Sequence, residues 1–249
     1  MKALILAAGL GTRLKPLTDH IPKALVEVNG RPLLDHAIER VKSCSIHEII
    51  INTHHFSEQM MARIKNYNDP EVELVISDES DMLLDTGGAI KKAEWFLKKN
   101  NSFLVYNVDI LSRFDLNDLL SFHKTNKGIA SLAVSERESS RYLLFDESNN
   151  LCSWQNVKTG EKKISRDADQ TKQYAFSGIH VLDSEIFEYM PKERKFSIID
   201  VFLTAGGTRD IKAFVHKPDE ILDAGKPESL DKAENFLQKH GDSYVKRNC

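Results

Sequence analysis

Apolar and polar residues alternate along this chain in two different rhythms, and the change between them falls near Gly128. Before that point, short apolar runs alternate with helical patterns. Ala3 to Ala7 is a continuous apolar run leading to glycine, the form of a strand buried on both faces. A long polar loop follows, and Pro32 then opens a helix whose Leu33, Leu34, Ala37, Ile38 and Val41 share one face. Glu48–Asn52 and Val72–Ile76 read as strands, with a helix over Ser57–Asn66 between them. A helix is predicted after Gly87-Gly88, with Ile90, Ala93 and Leu97 in register. Phe103–Tyr106 is a fourth strand, and Leu116, Leu119 and Leu120 mark another helix.

Beyond Gly128 the pattern predicts strands with few helices between them: Ile129–Val134, Tyr142–Phe145, Leu151–Trp154, Tyr174–Leu182 and Ile211–Val215. Asn149-Asn150 is a turn signal, and residues 159–171 read as a polar, charged loop. Pro227 starts a last helix carrying Leu230, Ala233 and Leu237. The expected fold is α/β: a Rossmann-like, mostly parallel sheet covered by helices on both faces, with a small strand-rich subdomain. With no internal repeat and no Gly/Ser linker, the 249 residues read as one domain with halves at 1–128 and 129–249.

Composition narrows the possibilities without choosing among them. Lys and Arg total 34 against 37 Asp and Glu, a net charge of −3, which argues against a protein that coats nucleic acid. The N-terminal apolar run meets Arg13 and Lys15 too soon for a signal peptide or a membrane span, and no later stretch is long enough to be one. Cys44, Cys152 and Cys249 are odd in number and widely spaced. They read as reduced thiols, and a cytoplasmic location is the expectation.

The chemistry begins in the segment Leu6-Ala-Ala-Gly-Leu-Gly-Thr-Arg-Leu-Lys-Pro-Leu-Thr18, followed by Pro22-Lys-Ala-Leu25. Small residues and glycines at the carboxyl end of a buried strand let the backbone approach a ligand closely and offer N–H donors to phosphate. Ligands of open α/β sheets bind at that end. Arg13 can fork onto phosphate oxygens, and Lys23 adds a point charge on a loop stiffened by Pro16 and Pro22. A dinucleotide fingerprint does not fit, because no third glycine follows Gly9-Leu-Gly11 at the required spacing.

Asp109 stands just past the fourth strand, and Asp223 lies between a late strand and the last helix. If both strand ends open onto one crevice, the two carboxylates can hold a hard divalent cation such as Mg²⁺. Either aspartate alone would more often be a turn or a cap. Thr86-Gly-Gly88 is equally compatible with a ligand loop and a tight strand-to-helix turn, and Phe176-Ser-Gly178 with a sugar contact or a β-bulge. His54-His55 lacks partners at metal-ligand spacing, and no serine has a hydrolase setting.

Taken together these segments resemble the sugar-1-phosphate nucleotidyltransferases, the nucleotide-sugar pyrophosphorylase family. The N-terminal signature is specific, and the likeness continues through Val28–Leu33, Thr86–Ile90, Asn107 with Asp109, Phe176–Gly178 and Leu222–Leu230. The Thr-Gly-Gly element looks most like the N-acetylmuramate-1-phosphate uridylyltransferase branch. The resemblance implies Mg²⁺-dependent transfer of a nucleotidyl group, from UTP in that branch, to a sugar-1-phosphate, with release of pyrophosphate. Residues 1–128 would be the nucleotide-binding half and 129–249 the sugar-binding half with the C-terminal helix. Arg13 and Lys23 would be catalytic. Gly9, Gly11, Thr12, Thr86, Gly87 and Gly88 would bind nucleotide, and Asn107, Ser177, Gly178 and Gly225 would line the sugar side. Asp109 and Asp223 would hold the metal.

The expected partners are thus a nucleoside triphosphate and a sugar-1-phosphate, with no nucleic acid and no membrane, in a monomer or small homo-oligomer. Val108 departs from the family, which usually has glycine before the metal aspartate, and its branched side chain is expected to narrow the crevice or shift Asp109. Two alternatives stand beside the uridylyl reading: a GTP-dependent mannose- or heptose-1-phosphate guanylyltransferase, and a non-catalytic nucleotide-sugar-binding regulatory protein.

Overall fold

The computed structural model describes residues 1–238, so Cys249 lies outside the described residues. The chain forms two compact units that do not divide near Gly128. The first takes Met1–Leu83, Val105–Arg113 and the segment from Ile221 onward, and the second takes Leu84–Leu104 and Phe114–Glu220. The chain returns to the first unit because Ile221–Asp223 pairs antiparallel with Ile110–Ser112.

The first unit is built on parallel strands. Lys2–Leu6 pairs with Glu48–Thr53, which pairs in turn with Glu73–Asp78. Ser102–Asn107 flanks Lys2–Leu6 on its other edge. Ala3, Leu4, Ile5, Ile49, Ile50 and Ile51 have no exposed surface, as continuous apolar runs in a doubly covered sheet require. Helix Leu33–Lys42 buries the predicted Leu33, Leu34, Ala37, Ile38 and Val41. Helix Ser57–Lys65 turns in Met60 and Ile64.

The second unit is strand-rich and mostly antiparallel. Its long strand, Lys172–Asp183, pairs with Ala130–Ser135 and, through its first residues, with Arg141–Phe145. Leu151–Asn156 continues that sheet and Ile211–Val215 adds a parallel strand beside Ala130–Ser135. The whole is a mixed parallel and antiparallel sheet flanked by helices, Rossmann-like in its first part with a smaller strand subdomain.

Two elements depart from the expected pattern. Residues 159–171 are not all loop: Lys162–Ile164 pairs with Leu151–Asn156 through exposed residues, so no apolar alternation marks it. Ile198–Gly206 is a helix within the region read as strands. Ser197 caps it by accepting the Ile199 N–H at 3.2 Å, and Ile198, Val201, Phe202 and Ala205 are buried on one face.

Candidate functional site

In the first unit the loop after Lys2–Leu6 folds back on itself. Gly11 adopts φ +66°, and a Cβ there would lie 2.8 Å from Thr18 Cγ2 and 3.1 Å from Lys23 Cβ. Only glycine fits both the backbone and the space. Thr18 Oγ1 donates to the Gly11 carbonyl at 2.8 Å, and the Leu14 N–H donates to the same oxygen at 2.8 Å. Leu14 is fully buried and pins the short helical turn Thr12–Leu14, which leaves Arg13 facing outward. Gly9, by contrast, faces open space. Thr18 belongs to the same signature as Gly11, but its service to the Gly11 carbonyl is not legible from spacing.

The two aspartates are brought together by a small antiparallel ladder. Asp223 is in register with Ile110, and the Ala224 N–H donates to the Asp109 carbonyl at 2.8 Å. Tyr106, fully buried, fixes the turn between Asn107 and Ile110 by donating its hydroxyl to the Ile110 carbonyl at 2.8 Å. Asn107 ends its strand half-exposed. Val108 is 2% exposed, and its N–H donates to the Leu6 carbonyl at 3.1 Å.

The charges meet at these carboxylates. Lys23 Nζ forms an ion pair with Asp109 Oδ2, and both side chains are largely buried. Arg13 Nη2 lies 3.8 Å from that same oxygen, while Arg13 Nη1 lies 3.5 Å from Asp223 Oδ2. Gly225 marks the centre of the cluster. A Cβ there would sit 2.7 Å from Asp109 Oδ2, 2.7 Å from Asp223 Oδ1 and 2.8 Å from Arg13 Nη2. Gly225, expected on the sugar side, therefore clears the space between the two carboxylates and the arginine.

That convergence is also the test of whether a metal fits. Asp109 and Asp223 lie at adjoining ends of paired strands, their carboxylates face the same Arg13 guanidinium, and hard oxygen donors of this kind suit Mg²⁺. Among the described residues no group of three or more His, Cys, Asp or Glu is arranged around a common centre. An ion held here would complete its shell with water and substrate oxygens, as Mg²⁺ commonly does.

The remaining candidates belong to the second unit. Thr86, Gly87 and Gly88 lie within helix Asp85–Lys92 rather than before it. The N–H groups of Gly87 and Gly88 donate to the Phe196 carbonyl at 3.0 and 3.2 Å, and Thr86 Oγ1 accepts the Ile198 N–H at 3.0 Å. A Cβ on Gly87 would meet the Phe196 ring at 2.5 Å, and one on Gly88 the Arg194 carbonyl at 2.1 Å. These glycines are required by close packing, and their amides are committed to the fold.

Gly178, with φ +74°, lies where the pairing of Lys172–Asp183 with Ala130–Ser135 is interrupted between Phe176 and His180. Ser177 is buried, with Oγ 2.8 Å from His216 Nε2. His216 Nδ1 donates to the Lys217 carbonyl at 2.8 Å, so Nε2 of the neutral ring accepts from the serine hydroxyl. Burial holds the His216 pKa below its ordinary value and keeps the ring neutral. His54, set aside as part of a strand-end loop, donates Nδ1 to the Glu79 carbonyl at 2.6 Å.

A glycine-rich loop at the end of a parallel strand, two cations and a carboxylate pair thus stand together on a Rossmann-like sheet, at the end where open α/β sheets bind ligands. The chain belongs to the Nucleotidyl transferase family, which it matches over residues 2–240. It is similar to a mannose-1-phosphate guanyltransferase of Pichia angusta, with 38% identity over 191 residues, 76% of this chain and 51% of that protein. It is also similar to mannose-1-phosphate guanylyltransferase 1 of Arabidopsis thaliana, 34% identical over 232 residues, covering 91% and 62% respectively. The chain thus spans between half and two thirds of these relatives' lengths. Among solved structures, HddC from Yersinia pseudotuberculosis complexed with GMP-PN superposes with a TM-score of 0.73 at 25% identity, covering 94% of this chain and 98% of that one. None of these three carries the name of the muramate uridylyltransferase branch expected from the Thr-Gly-Gly element.

Proposed function

We propose that the chain transfers a guanylyl group from GTP to mannose-1-phosphate or heptose-1-phosphate, giving a GDP-sugar and pyrophosphate. The observation that carries the transferase reading is the convergence of Arg13, Asp109 and Asp223 on the space above Gly225, with Lys23 on Asp109. The choice of guanine over the expected uracil rests on the names of the guanylyltransferase relatives and on the GMP-PN complex of HddC.

In the reaction an oxygen of the sugar-1-phosphate attacks the α-phosphorus of the nucleotide. The bond from that phosphorus to the bridging oxygen breaks, and pyrophosphate leaves with the electron pair. The chemistry demands alignment and charge neutralisation rather than a covalent intermediate. Backbone amides from Gly9 to Thr12 cradle the phosphates, and Arg13 stabilises charge on the departing pyrophosphate. Lys23 neutralises the α-phosphate region, and its pairing with Asp109 fixes where its charge stands. Asp109 and Asp223 would hold Mg²⁺, which supplies Lewis-acid charge neutralisation to the phosphates when bound. Within the second unit the Ser177 hydroxyl meets His216, the Thr86 hydroxyl accepts the Ile198 N–H, and the Gly87 and Gly88 amides donate to the Phe196 carbonyl. Asn107, half-exposed beside Asp109, remains assigned to the sugar side.

The test is pyrophosphate release with Mg²⁺, using GTP, UTP, ATP, CTP and dTTP against mannose-, heptose-, glucose- and N-acetylmuramate-1-phosphate. Release with GTP and mannose- or heptose-1-phosphate is expected. Release confined to UTP with N-acetylmuramate-1-phosphate would restore the uridylyl reading. Nucleotide binding without release from any pair would favour a regulatory protein.

A further inference from the structure

The strand pairing of Lys2–Leu6 with Glu48–Thr53 ends at the register Leu6↔Asn52. Beyond it the chain enters the loop that carries Gly9, Gly11 and Arg13, and backbone hydrogen bonding alone no longer sets its course. The side chain of Asn52 takes over. Its Oδ1 accepts the N–H of Ala7 at 2.7 Å and that of Ala8 at 3.3 Å, while its Nδ2 donates to Glu79 Oε1 at 2.8 Å.

Asn52 is 3% exposed and Glu79 has no exposed surface. A carboxylate that accepts here fixes the amide's orientation: the NH2 must face Glu79, so the oxygen must face the two alanine amides. Glu79 is itself held, its N–H donating to the Thr53 carbonyl at 2.7 Å and its carbonyl accepting from His54 and from the Met82 N–H at 3.0 Å. The chain of contacts therefore runs from a buried anchor, through one amide, to the first two residues of the phosphate loop.

We infer that Asn52, oriented by Glu79, is a positioning residue that aims the Ala7–Thr12 backbone at the nucleotide phosphates. The inference rests on the nucleotide reading of this loop. It does not depend on which sugar is used. Asn52 touches no phosphate itself. Its removal would free the loop's entry and misdirect the amides beyond Ala8, and a displacement of ~1 Å can cost about 100-fold in such a site.

The test exchanges polarity across the contact. In Asn52→Asp a second carboxylate faces Glu79 in a buried setting, which like charges disfavour strongly. In the double variant Asn52→Asp, Glu79→Gln the donor and acceptor change places. The carboxylate introduced at position 52 still accepts from both alanine amides, and it also accepts from the side-chain NH2 introduced at position 79. Titration of GTP, and separately UTP, with Mg²⁺ into each protein measures nucleotide binding without requiring turnover. Asn52→Asp is expected to weaken binding of the preferred nucleotide at least 10-fold, and the double variant to return within about 3-fold of wild type. Where an active pair is found, KM for the nucleotide should rise while KM for the sugar-1-phosphate stays within about 2-fold.

Should Asn52→Asp fail to fold, Asn52→Leu with Glu79→Met removes the tether together with the buried carboxylate, and is expected to fold while binding nucleotide poorly. Wild-type affinity in a folded variant lacking the tether, or no recovery in a folded double variant, overturns the positioning role. Wild-type binding without turnover would count against the transferase reading alone.

Discussion

Gly225 shows how much a single missing side chain can decide. The space that its Cβ would occupy is bounded by one oxygen each from Asp109 and Asp223 and one nitrogen from Arg13. Gly225→Ala is therefore expected to push the carboxylates apart, with loss of Mg²⁺-dependent turnover and little loss of thermal stability. Asp109→Asn probes the same point from the other side. It keeps the side-chain shape, removes the charge that Lys23 pairs with, and should lower turnover on the order of 100-fold or more with the fold intact. Steady-state kinetics alongside a melting curve checks both variants, and near-normal activity in Asp109→Asn would remove that residue from the mechanism. The residue types at this point were legible in the sequence because phosphate and metal chemistry admits few alternatives. The role of Gly225 was not, since a glycine carries no chemical label and its meaning lies in what surrounds it.

At the level of elements, the same difficulty explains Thr86-Gly-Gly88. A glycine pair beside a helix looks alike in sequence whether it approaches a ligand or another segment, and here it approaches 194–198 of the same unit. Gly88→Ala should destabilise the protein by roughly 1–3 kcal/mol, because the Arg194 carbonyl is backbone and must shift. Denaturant unfolding would measure this, and an unchanged midpoint would show that the segment yields freely.

Helix Ile198–Gly206 was legible in principle, from Ser197 as cap and the spacing of Ile198, Val201, Phe202 and Ala205, but its apolar run also fits a buried strand. Its Phe202 packs against His180 of the long strand, whose ring also contacts Phe176. Neither His180 nitrogen has a hydrogen-bond partner, and burial pushes its pKa from 6.5 down to about 3. The unfolded chain therefore binds a proton that the folded chain refuses between those values. Stability contributed by this site should be complete above about pH 6.5 and fall as the pH drops toward about 3. His180→Leu is expected to melt no lower than wild type at about pH 7 and to lose less on acidification to about pH 5. Parallel melting curves would reject this if the two proteins lost stability equally.

For the whole molecule, the alternation of strand and helix before Gly128 and the strand-rich pattern after it made the fold class readable. The course of the chain between units was not. Ile221–Asp223 is too short to announce its partner, and only its pairing with Ile110–Ser112 carries Asp223 to Asp109. Contacts between residues distant in sequence leave no periodic trace, so the sequence could name both aspartates without joining them. Joining them makes metal dependence a property that can be read from global stability. A nucleotide that binds only the folded state at about 100 times its Kd adds ~2.7 kcal/mol, or roughly 5–10 °C in Tm for a chain of this size. GTP with Mg²⁺ is expected to produce a shift of that order, with a smaller shift from UTP. Chelation of the metal should remove most of the gain, because the triphosphate would then face Asp109 and Asp223 uncompensated. In Asp109→Asn with Asp223→Asn the shift should become nearly independent of Mg²⁺, while Arg13 and Lys23 still attract the phosphates. A wild-type shift that is equal with Mg²⁺ and with chelator would separate the carboxylate pair from nucleotide binding and leave it a purely structural contact to the two cations.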